Sequence, residues 1–162
     1  MSITKSFLAE LDHELATTRA LLERVPFDQA DWKPHPKSMS LGKLATHLVD
    51  LVGLGIGVLT QPAVDLGTAP TAAGVASTAE LLARFDEQVK VAREALAGTE
   101  DASMGESWTM TFGSHTIATL PRAAAMRSMV LNHLIHHRGQ LSVYLRLKDV
   151  PLPPMYGPTA DS

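Results

Sequence analysis

The chain has 162 residues, 45% of them hydrophobic and 19% charged, the balance of a globular protein rather than a disordered one. Its formal net charge of −3 supplies no basic field, so no nucleic-acid partner is expected. Cysteine is absent, which removes disulfides, a thiol nucleophile and thiolate metal ligands together and agrees with an expected cytoplasmic location.

At this length roughly 70% of the unfolded chain's surface can be buried, and residues 1–162 are read as one domain. The N-terminal stretch MSITKSFLAELDHEL carries acids early and lacks an apolar h-region, so no signal peptide is expected. Ile3, Phe7, Leu8, Leu11, Leu15, Leu22 and Val25 recur at helical spacing, which predicts an amphipathic helix over 3–24. VPFDQADWKPHPKSMS follows with three prolines and reads as a loop with room for one short turn. Ser40 is a good N-cap for a second helix, from Leu41 to about Leu59. Its LVDLVGLGIGVL stretch is too short for a membrane span and contains Asp50, so it reads as a buried helix. Gly53 and Gly57, four apart on it, suggest close approach of a neighbouring helix, either within the bundle or from a second subunit.

TQPAVDLGTAPTAAG ends that helix, and STAE, Ser77 to Glu80, is a capping box opening a third helix to about Leu96, ended by Gly98. ESWTMTFGSHTIATLP is rich in Thr and aromatic residues, and its 105–118 segment fits a small hairpin or an irregular crossover equally well. A fourth helix is predicted from Thr119-Leu120-Pro121 to about Leu147. The tail VPLPPMYGPTADS, with four prolines, is extended or turn-like. Four long helices without a strong strand series predict an all-α four-helix bundle. The long loops on either side of the third helix predict crossover connections.

The fourth helix contains NHLIHHRGQ. A helix turns about 100° per residue, so His133 and His137 share a face, about 6 Å apart along the axis. That i, i+4 spacing lets two imidazoles reach a common metal, as in H-E-x-x-H, but Leu134 stands where that motif has its glutamate, which argues against a metalloprotease. On the second helix His47 lies on an apolar stripe with Leu44, Leu48 and Leu51 and needs a polar partner there. The three histidines together would make a three-nitrogen metal site with an open fourth position. The same residues also fit an incidental surface pair and a hydrogen-bonded core histidine. His13, His35 and His115 show no useful spacing, and Arg138 reads either as a solvated cation or as support for the site. Gln140, three residues after His137, is placed to orient its free ring nitrogen. Trp32 is expected to seal one end of the bundle; Tyr156 either seals an end or walls the pocket.

DWKPHPKSMSLGKLATHLVDL and LNHLIHHRGQLSVYLRLKDVPLPPMYGPTAD resemble the two signature regions of the DinB-like (YfiT-like) family, most specifically at HHRGQ, YLR and YGP. The resemblance covers the whole chain in helix order. It implies a four-helix bundle, often a homodimer, with a divalent metal, zinc or nickel, held by His47, His133 and His137, while His136 is an extra histidine and not a ligand. It further implies a transferase that activates a low-molecular-weight thiol as its small-molecule partner. A hydrolase, for which Asp50 is the nearest base, and a non-catalytic metal-binding stress-response dimer are the alternatives. No membrane partner is expected.

Overall fold

The computed structural model describes residues 2–68 and 74–161. Helix α1 (Ile3–Leu22) opens on Ser2, whose hydroxyl accepts from the Lys5 amide, and buries Phe7, Leu11, Leu15, Leu21 and Leu22. Val25 is buried just beyond it, whereas Ile3 at its start is 38% exposed. The predicted loop follows and contains one short turn at Phe27–Gln29. Helix α2 (Leu41–Thr60) starts at the Ser40 cap and is the most apolar of the helices. All 20 of its residues together meet the length and hydropathy of a membrane span, which the shorter apolar stretch alone does not. Its burial between other helices accounts for that hydropathy: Leu44, Leu48, Val49, Val52 and Val58 are all shielded from solvent.

Strand β1 (Ala63–Asp65) follows α2 directly. The predicted linker continues through 69–73, which lie outside the described residues. Helix α3 (Thr78–Ala97) begins at the expected capping box: the Glu80 amide donates to Ser77 Oγ. The Glu80 carboxylate reaches back to the Ala76 amide, one residue before the cap. Strands β2 (Ser107–Phe112) and β3 (His115–Pro121) form an antiparallel hairpin around Gly113, whose φ of +57° favours glycine. A helical rod then runs without interruption through α4 (Arg122–Ala125), a π turn (Met126–Leu131) and α5 (Asn132–Leu147).

The all-α expectation therefore needs correction. The molecule is mostly helical but carries a three-stranded sheet in the order β1-β2-β3, with β1 parallel to β2. The hairpin resolves the open reading of 105–118. It also moves the start of the last helix from Thr119-Leu120-Pro121 to Arg122, because Thr119 and Leu120 are paired with Thr109 and Trp108. Parallel pairing requires a long connection between β1 and β2, and α3 is that connection. Crossovers were expected from the two long links beside α3, and strands are what those links contain.

Helix α2 is the central element, packing on α3, α5 and the π turn, while α1 packs on α3 and α5. The glycines of α2 serve these contacts. A Cβ at Gly53 would lie 3.3 Å from Gln88 Oε1 on α3, and one at Gly57 only 2.8 Å from Val64 Cγ2 on β1. Both are contacts within the chain, so a second subunit is not needed to explain either.

Candidate metal centre

The first histidine comes from α2 and the other two from α5, where the helices face each other. Ring centroids lie 5.2 Å apart for His47 and His133, 4.6 Å for His47 and His137, and 4.7 Å for His133 and His137. One nitrogen from each ring falls within 4.8 Å of the others. The i, i+4 spacing places the α5 pair on one face as predicted, with Nε2 of His133 only 2.9 Å from Nε2 of His137.

The remaining nitrogen of His137 decides what its Nε2 can be. His137 Nδ1 lies 2.7 Å from Gln140 Oε1, and a carboxamide oxygen only accepts, so Nδ1 carries the proton. His137 Nε2 therefore points a bare lone pair toward His133 Nε2. With one nitrogen of His47 and one of His133 close by, that lone pair is open to a cation. Gln140 is the kind of partner that fixes the tautomer of a metal-ligating histidine. It was anticipated in that role.

Electrostatics favour the same state. Burial chiefly, then the neighbouring His137, His133 and Lys43, lowers the pKa of His47 to about 4. Burial and His137 also lower that of His133. Neutral imidazole is the form that ligates. Zinc–imidazole bonds are about 2.0–2.1 Å long, so modest side-chain rotation would bring three nitrogens already this close onto one ion. The donor set fits a divalent borderline metal of the zinc or nickel kind.

His136 is exposed on α5 and accepts from Gln140 Nε2 at its own Nε2, 3.0 Å away; its ring lies 4.9 Å from that of His137, but it does not belong to the group of converging nitrogens. The other histidines are elsewhere: His35 accepts from the Lys37 amide in the first loop, His115 sits at the hairpin end, and His13 lies 6.3 Å from the Tyr156 ring. Trp32 packs edge-on against Tyr144 at 5.6 Å and onto the core, as expected of a seal.

Arg138 is not a solvated cation. It is 1% exposed and its Nη2 lies 2.6 Å from Glu14 Oε2 on α1, with the Tyr156 hydroxyl donating to the same carboxylate oxygen. Tyr156 thus pins the tail to a buried ion pair and does not line the cavity at the histidines. Glu14 was overlooked in the sequence, although it falls on the inward stripe three residues after Leu11.

A cavity of about 380 Å³ opens beside His47, lined by Phe27, Met39, Ser40, Lys43, Thr46 and Asp50 among others. That volume suits a small molecule. Asp50 is half-buried, ion-paired with Arg84 at 2.6 Å, and its pKa is raised by burial against the opposing pull of that arginine. A second groove of similar size, about 370 Å³, lies over Leu8, Val89 and Arg93 and contains no histidine.

A helical bundle with three convergent histidines on two facing helices and a pocket at one of them is an arrangement compatible with a divalent metal in the bundle core. The sequence pattern of the DinB superfamily matches residues 10–141, and the chain belongs to that superfamily. A DinB-like protein from Bacillus cereus ATCC 10987 shares its fold with a TM-score of 0.72 at 20% identity, over 94% of this chain and 97% of that one. A DinB-like protein from Bacillus subtilis does so with a TM-score of 0.72 at 18% identity, over 95% and 99%. A proposed DinB-family member from Exiguobacterium sibiricum gives 0.70 at 22%, over 95% and 97%. Likeness at such identities establishes the fold alone. No curated protein matches the chain.

Proposed function

We propose that the protein binds one zinc or nickel ion through His47, His133 and His137 and works as a transferase on a low-molecular-weight thiol. The observation that carries the metal is the convergence of one nitrogen from each of His47, His133 and His137 within 4.8 Å, with the His137 ring oriented by Gln140. Family membership and the adjoining cavity support it. When bound, the ion would lower the pKa of a thiol so that sulfur attacks an electrophile as thiolate. The protein's own contribution is to keep three imidazoles neutral and oriented, and to hold the thiol in the cavity beside His47. No cysteine competes for the electrophile. In the transfer a sulfur–carbon bond forms, the electrophile's leaving group departs with its electron pair, and the thiol proton passes to solvent.

Hydrolysis is the second reading, favoured by one observation: Asp50 lines the same cavity as His47 and its pKa is raised. Its carboxylate is engaged by Arg84, which ranks this reading below transfer. The test is thioether formation from 2-mercaptoethanol and an alkyl halide at pH 7, with zinc-loaded protein and the His47→Ala variant. Acceleration over buffer by the parent alone supports the transferase. Zinc retained with no acceleration contradicts it and leaves the non-catalytic metal protein, with ester hydrolysis by the same sample as the check on the second reading.

A further inference from the structure

The cavity beside the histidines has one cation in its wall. Along α2 that wall runs through Ser40, Lys43, Thr46, His47 and Asp50. Lys43 is four residues before His47, hence on the same face and about 6 Å toward the helix start. Its charge is close enough to help lower the His47 pKa. The ammonium group forms no ion pair or hydrogen bond among the described residues.

The other charged side chains of the wall are acidic. Asp50 is held by Arg84, and Asp31 is exposed at the rim. The start of α2 is not an anion site, because its first amides are engaged: Leu41 to the Trp32 carbonyl, Gly42 to the Ala30 carbonyl, and Lys43 to Ser40 Oγ. Among the described residues, Lys43 is therefore the one cation that the wall offers an anionic group, one helical turn from His47.

We propose that the ligand of this cavity is a thiol that also carries a carboxylate, with Lys43 as the residue that selects the carboxylate. This rests on the metal reading of the three histidines, which places the sulfur. A lysine four carbons long and a sulfur at His47 leave room for a carboxylate a few bonds from the thiol. A cation that faces solvent on one side gives a modest preference, screened by salt.

The test compares 3-mercaptopropionate with the uncharged 3-mercaptopropanol by calorimetry on zinc-loaded protein, with zinc content measured on the same samples. The parent should bind the carboxylate roughly fivefold more tightly than the alcohol, and 1 M salt should shrink that ratio. Lys43→Ala should bring the ratio to one, and Lys43→Arg should keep it. A ratio of one in the parent, or an undiminished ratio in Lys43→Ala, overturns the proposal while leaving the metal reading intact. Parent protein that holds no zinc overturns the metal reading, and the carboxylate proposal falls with it.

Discussion

Burial and two neighbouring imidazoles hold the pKa of His47 down to about 4, against 6.5 for an ordinary histidine. Between those values the unfolded chain takes up a proton that the folded chain refuses, so stability of the metal-free protein falls as pH drops from about 6.5 toward 4 and is level above that window. His133, also lowered, adds in the same direction. Thermal melts at pH 7 and pH 5 should therefore differ more for the parent than for His47→Gln. Equal differences would mean that the imidazole is not kept neutral by its surroundings. The convergence of the three histidines was legible in the sequence, because helical spacing brings His133 and His137 together and an inward His47 stands out on an apolar stripe. The buried pair of Glu14 and Arg138 was not, because its partners lie 124 residues apart and each looks like an ordinary surface charge by itself. Arg138→Ala leaves the Glu14 carboxylate buried without a counter-charge and should cost about 3–5 kcal/mol. Tyr156→Phe, which removes the hydroxyl that donates to Glu14 and accepts from Arg138, should cost about 1–2 kcal/mol. Urea unfolding of the two variants gives both numbers, and a loss below 1 kcal/mol for Arg138→Ala would contradict the assigned pair.

Among the elements, the long helices were readable from their apolar spacing and from the caps Ser40 and Ser77, whose hydroxyls accept the expected amides. The sheet was not. Strand β1 has three residues and no alternation of its own, and it exists because Ala63–Asp65 pairs with Thr109–Thr111 far along the chain. The glycines of α2 separate two kinds of neighbour. At Gly53 the atom in the way is the end of a flexible glutamine, so Gly53→Ala should be neutral or stabilising by up to about 1 kcal/mol, the gain in helix propensity. At Gly57 it is a methyl of Val64, a stiff β-branched side chain on the strand. Gly57→Ala should therefore be destabilising by about 1 kcal/mol after that gain is subtracted from the overpacking cost. Denaturant midpoints order the two variants, and the reverse order would mean that β1 yields more easily than Gln88.

For the whole molecule, the bundle brings one face of α2 against one face of α5, where the three histidines converge. A mostly helical protein with a small sheet closing one connection is the result, and the DinB relatives share that fold. The fold is thus a scaffold for three convergent nitrogens and a cavity at one of them. The account stands or falls on whether those nitrogens hold an ion. Elemental analysis of untagged protein, purified without added metal and then equilibrated with zinc or nickel, measures this directly alongside His47→Ala, His137→Ala and His136→Ala. About one metal ion per chain in the parent and in His136→Ala, with most of it lost from the other two, is the predicted result. A parent that binds neither metal, or a His136→Ala variant that loses it while His47→Ala does not, would contradict the account.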